Sequence, residues 1–149
     1  MKNLLKQIFL FAWGGEMYVL IELLWRGYSH PSMFLLGGLC FLIVGLINEY
    51  LPWEMPVEIQ AICGGGIITL LEFVTGLIVN IWLKLNVWDY SELPLNILGQ
   101  ICLPFTLVWI ALSFIIILED DWIRYRCFGE ELPHYITIWR WLKRKRKRR

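Results

Sequence analysis

Three glutamates, Glu16, Glu22 and Glu72, stand inside runs of apolar residues. An ionisable side chain in hydrocarbon costs about 2.5–3.5 kcal/mol on insertion scales, so it needs a partner and is a functional candidate by default. Two carboxylates held together in a low dielectric cannot both stay ionised unless a cation neutralises them. Glu22 and Glu72 could thus share a proton, or bind a metal, a sodium ion or an organic cation. The competing reading is local pairing. Arg26 follows Glu22 by one helical turn and His30 follows by another, a spacing that suits a salt bridge. Glu72 has no basic residue within a turn. Glu16 is expected to face Tyr18, a lumen or a partner helix.

Other polar residues fall near these acids. Asn80 lies deep in the same apolar run as Glu72. Asn96 and Gln100, four apart, would share one face at the start of a helix and line a cavity or bond to a neighbouring helix. Arg26, Tyr28, Ser29 and His30 form one polar-aromatic cluster, and Trp88, Asp89, Tyr90 and Ser91 form another. Tyr and Trp at such places anchor helices at the membrane interface. Alternatively, the two clusters form a vestibule above the glutamates.

Four elements must position these groups. The chain has 149 residues, 58% hydrophobic and 18% charged. That charge fraction is below the roughly 25% of soluble domains. A disordered chain, a soluble nucleic-acid-binding domain and a secreted disulfide mini-protein are excluded. A spanning helix needs about 20 mostly apolar residues. Stretches 5–26, 33–51, 57–83 and 96–118 qualify, separated by Ser29-His30-Pro31-Ser32, by Pro52 to Pro56 and by Asp89 to Pro94. The expected architecture is an all-α membrane protein of four transmembrane helices. Residues 1–118 form the transmembrane domain and 119–149 a cytoplasmic juxtamembrane segment. Glu16 and Glu22 inside the first run, and the lack of a small-residue cleavage site after it, argue against a signal peptide.

Seven of the 14 basic residues occupy Lys143 to Arg149. By the bias of Lys and Arg to the inner side, both termini are expected in the cytoplasm, with the protein in the cell inner (cytoplasmic) membrane. Lys143, Arg144, Lys145 and Arg146, after the aromatic stretch Tyr135 to Leu142, are expected to contact anionic lipid headgroups. A nucleic-acid partner is not expected at the bilayer surface. The acids Glu119, Asp120 and Asp121 are expected to pair with Arg124, Arg126 or Lys6.

The chain also matches itself. A shift of 50 lays Gly14, Gly15, Leu20 and Glu22 on Gly64, Gly65, Leu70 and Glu72. A shift of 62 lays Tyr28, Ser29, Leu36, Gly37 and Cys40 on Tyr90, Ser91, Leu98, Gly99 and Cys102. Two tandem, parallel-related helical hairpins are expected, about 5–51 and 57–118, with Glu22 and Glu72 facing each other across the pseudo-two-fold axis. Gly14, Gly15, Gly37, Gly38, Gly64, Gly65 and Gly66 are expected where helices approach closely.

The runs NVWDYSELPLNILGQICLPFTLVWIALS (86–113), FGEELPHY (128–135) and GGEMYVLIELLWRGYSHPSMFLLGGL (14–39) resemble the bacterial membrane family described as Putative ABC-transporter type IV, or CmpB-like. The resemblance implies a small polytopic membrane protein of mainly Gram-positive bacteria, and supplies no catalytic residues. The chain carries no Walker-type Gly-rich loop, so it is not itself an ATPase. It also has no HExxH, GxSxG or paired-Asp motif, which disfavours a membrane-embedded enzyme using the glutamates, His30 and Asp89. Its four cysteines form no CxxC pair, so a disulfide framework, a zinc site or any cofactor beyond a bound cation is not expected. The residues point to a transport or permease-like component that binds a cation or cationic solute. A non-transporting scaffold or accessory subunit is the alternative. Four helices enclose little interior, so a homodimer or a partner membrane subunit is expected.

Overall fold

The computed structural model describes residues 2–50, 55–131 and 134–147. Among them the chain is all-helical, with no strand and one isolated bridge between Ile97 and Ile101. We number the helices α1 (Lys2–Arg26), α2 (Pro31–Gly45), α3 (Ile47–Tyr50), α4 (Val57–Trp82), α5 (Leu103–Phe128) and α6 (Ile138–Lys147). Three of them, α1, α4 and α5, are long and apolar enough to cross a membrane, and α2 is a shorter apolar helix. Hydrogen bonds from Leu46 N to Leu42 O and from Tyr50 N to Leu46 O carry the helical path from α2 into α3.

Local chemistry sets the helix ends. Pro31 opens α2, where its missing N–H is no loss, and His30 caps the helix by accepting from Ser32 N. Cys102 is extended before α5, and Pro104 lies in its first turn. Gly129, at φ +69°, ends α5 in the left-handed conformation that glycine adopts without strain. The last turn of α4, Leu77–Trp82, is a π-helix.

Helix α1 packs on α2 and α4 on α5, while α2 also touches α4 and α5. Glycines make the close contacts. A side chain at Gly14 would overlap Phe41, one at Gly37 would overlap Tyr18, and one at Gly64 would meet Ser113 at 2.9 Å. The main core joins Met33, Leu36, Cys40 and Val44 of α2 to Ile68 and Val79 of α4 and Trp109 and Ile117 of α5. Large apolar residues face outward on every long helix, among them Leu24, Leu70 and Leu107. All four cysteines are free; Cys40 and Cys102 are buried, Cys63 and Cys127 exposed.

Several expectations need correction. Helix α5 begins at Leu103 rather than 96 and runs to Phe128 rather than 118. Residues 83–102 form an ordered loop because Leu95, Leu98 and Gly99 take positive φ and Asn96 turns the chain on itself. Asn96 and Gln100 therefore share no helical face. The 62-residue match consequently lays Leu36, Gly37 and Cys40, in α2, on Leu98, Gly99 and Cys102, in a loop. Gly66 meets nothing within 4 Å, unlike the other glycines named for close packing.

Candidate functional site

Glu72 is the most enclosed of the three glutamates, 2% exposed on α4. Gly64 and Gly65, two turns earlier, bring α4 against α5 at Ser113 and Ile110, which sets Trp109 of α5 beside the carboxylate. Trp109 Nε1 donates to Glu72 Oε2 at 2.7 Å, and Tyr90 Oη donates to Oε1 at 2.9 Å. Both carboxylate oxygens thus accept from neutral groups, and no basic group among the described residues bonds to them. Phe105 stacks on Tyr90 at 4.6 Å between centroids and tilts against Trp109 at 5.9 Å, so the two donors are braced by one ring. Burial, and after it the nearby Glu72, push the Tyr90 phenol far above its usual range, which keeps it a donor.

Glu22 is neutralised locally. Its Oε1 accepts from Arg26 Nη2 at 2.5 Å and its Oε2 from Ser29 Oγ at 2.5 Å. Arg26 also donates to Val87 O at 2.9 Å and lies over the Tyr28 ring at 4.6 Å. Each of the two carboxylates has its own donors, Glu22 from Arg26 and Ser29 and Glu72 from Tyr90 and Trp109. Tyr18 of α1 lies within electrostatic reach of both, 6.0 Å from the Trp109 ring.

The remaining polar candidates hold the loop. Asn80 uses all its principal capacity. It donates to Trp88 O at 3.0 Å and to Gln100 Oε1 at 2.8 Å, and accepts from Val87 N at 2.7 Å. Gln100 donates back to Leu98 O, and Trp88 Nε1 donates to Gln100 O. Asn96 binds Ser91 O and Leu93 O. Exposed Asp89 accepts from Ser91 N at 2.8 Å, and that bond holds its carboxyl below the usual range. His30 is occupied as the cap of α2. These residues tie down the α4–α5 loop at one end of the bundle.

The end of the bundle at the C-terminal turns of α5 is a second polar layer. Asp120, fully buried against Gly45, accepts from Arg124 Nε at 2.5 Å. Arg124 also faces Glu130, which bonds to Lys6. Asp121 accepts from Tyr135, and Glu119 from Trp13 Nε1. Of the expected partners Arg124 meets Asp120, whereas Lys6 reaches Glu130 instead of the acid triplet. On α6, Arg140 and Lys143 to Arg146 are exposed, with Lys143 and Lys145 over the Trp139 and Trp141 rings; Arg148 and Arg149 lie outside the described residues. Glu16 is exposed on α1 and makes no hydrogen bond or ion pair among the described residues. No group of three or more His, Cys, Asp or Glu is arranged as metal ligands among the described residues.

Glu72 and the cluster that holds Tyr90 stand out in the sequence, but the bonds that Tyr90 and Trp109 make to Glu72 do not. A tryptophan in an apolar run carries no mark of a buried bond. The Asp120–Arg124 pair was legible only as an i, i+4 spacing. Residues 3–120 match the family described as Putative ABC-transporter type IV, and the chain belongs to that family. No curated protein and no solved structure matches it.

Proposed function

We propose that this member of the Putative ABC-transporter type IV family is a permease-like component of the cytoplasmic membrane whose Glu72 binds a cation or a cationic solute. One observation carries the reading: a nearly inaccessible carboxyl on a span-length helix is held by a phenol and an indole and by no basic side chain among the described residues. Neutral donors orient a carboxylate, but they do not cancel its charge in a low dielectric. A proton is the smallest cation that does so, and a monovalent metal or an ammonium group is the next. Glu22, already neutralised by Arg26, is the lesser member. Tyr90 reaches Glu72 from the loop, so displacement of residues 83–102 uncovers the carboxyl.

In this reading the membrane is crossed four times, by α1, by α2 with α3, by α4 and by α5, with both termini inside. Helix α6 lies at the inner surface, with Lys143, Arg144, Lys145 and Arg146 toward anionic headgroups. The accessory-subunit reading draws on a different observation. Asn80, Asn96 and Gln100 are occupied by loop bonds, which leaves few free polar groups to line a solute pathway.

Purified protein titrated with sodium, potassium or tetramethylammonium tests the reading. A ligand that binds only the folded state raises Tm with concentration. At least one of these cations is expected to raise Tm of the wild type and to leave Glu72→Gln unmoved. Infrared titration is expected to show a buried carboxyl band that is lost in Glu72→Gln. Identical responses of the two proteins in both measurements remove Glu72 from the mechanism and leave the accessory role.

A further inference from the structure

We infer that the outward face of α1 is a homodimer interface, with Glu16 of two copies paired at mid-membrane. Lys6 and Arg26 are twenty residues apart on α1, about 30 Å at 1.5 Å per residue, which is the thickness of the hydrocarbon core. Each is held at its end of the bundle, Lys6 by Glu130 and Arg26 by Glu22. Glu16 is ten residues from both, at mid-depth, and it faces outward without a partner among the described residues. A glutamate side chain is a few ångströms long, so from there it cannot reach either interface. Left against lipid, it bears the full cost of a polar group in hydrocarbon.

The residues around Glu16 have the spacing of a helix–helix seam. Leu5, Phe9, Ala12, Glu16, Val19 and Leu23 alternate steps of four and three, the pattern of two helices that pack along their length. Leu5, Phe9 and Leu23 are exposed at 61%, 44% and 47%, and small Ala12 next to Glu16 permits close approach. A protonated carboxyl is both donor and acceptor, so the same group on a second copy is its hydrogen-bond complement. With a two-fold axis along the membrane normal, the two α1 helices run parallel in equal register and Glu16 meets Glu16. Among the described residues, no other outward mid-span residue offers a complementary charge. The inference is independent of the reading of Glu72.

The test uses full-length protein at low density in lipid vesicles. Association is measured by single-molecule photobleaching, and contact by oxidative crosslinking of Ala12→Cys in a Cys63→Ser, Cys127→Ser background. Wild type is expected to be dimeric. Ala12→Cys is expected to crosslink to itself, whereas Leu35→Cys, exposed on α2, is not. Glu16→Leu is expected to weaken dimerisation about tenfold, the effect of losing one interhelical bond of ~1.4 kcal/mol. Glu16→Gln, also donor and acceptor, retains the dimer. Glu72→Gln leaves it unchanged whatever it does to cation binding. A monomeric wild type, an undiminished Glu16→Leu dimer, or Ala12→Cys bonded to a different protein each overturns the inference.

Discussion

Trp109→Phe keeps an aromatic ring at residue 109, though a smaller one, and deletes the N–H that reaches Glu72. Tyr90→Phe does the same on the other oxygen. Each change leaves a buried acceptor without its partner, which costs about 1–3 kcal/mol. Both variants are therefore expected to lower Tm, and because they serve one carboxylate their effects are not additive. Unfolding of the two single variants and the double variant measures this coupling. Glu72 could be read from the sequence because an acid in an apolar run has no neutral explanation. Its donors could not, since one stands 18 residues away across a loop and the other 37 residues away on another helix. Glu22 was legible in both senses: the i, i+4 spacing to Arg26 is the pairing observed.

At the level of elements, the loop between α4 and α5 depends on Asn80. Its amide satisfies two acceptors and its oxygen one backbone donor, all in the loop. Asn80→Leu keeps a similar volume and strands all three groups. It is expected to release residues 86–100, with a destabilisation of roughly 2–4 kcal/mol from buried polar groups left without partners. Loss of amide protection confined to that loop, read by hydrogen exchange, checks it. Unchanged protection removes Asn80 as the staple. Apolar composition reads straight through this loop, as Leu95, Ile97, Leu98, Ile101 and Leu103 continue the hydropathy of α5. Only backbone chemistry separates them: left-handed φ at Leu95, Leu98 and Gly99, then an extended Cys102. At Gly99 a side chain would meet Asp89 Oδ1 at 2.7 Å in addition to the strained φ. Helix α5 outruns its apolar stretch because its acids are satisfied by Trp13, Arg124 and Tyr135, which composition does not reveal.

On the scale of the whole molecule, the helical class and the span-length helices were legible through length and hydropathy alone, quantities the bilayer itself sets. The two internal sequence matches fall differently on the helices. Gly14 and Gly64 both sit at crossings with the next helix, whereas the second register compares a helix with a loop. Helix α6 extends the molecule beyond the bundle, with Trp139 and Leu142 exposed beside its basic residues. Exchange of Lys143, Arg144, Lys145 and Arg146 for Gln is expected to weaken attraction to anionic lipid by about 1 kcal/mol per residue. In nanodiscs, the blue shift of tryptophan emission between zwitterionic and phosphatidylglycerol bilayers is expected to shrink in that variant and in high salt. An equal shift in both proteins counts against the contact.

The distribution of the four thiols makes the native chain its own topological reporter. Cys127 is exposed seven residues past Asp120 on α5, and Cys63 is exposed on the apolar flank of α4. A water-soluble maleimide that cannot cross a bilayer is therefore expected to mark one position, Cys127, and only in inverted vesicles. A lipid-soluble reagent is expected to reach Cys63 from either side. Labelling of Cys127 in intact cells would turn the whole chain over in the membrane, without a single codon having been changed.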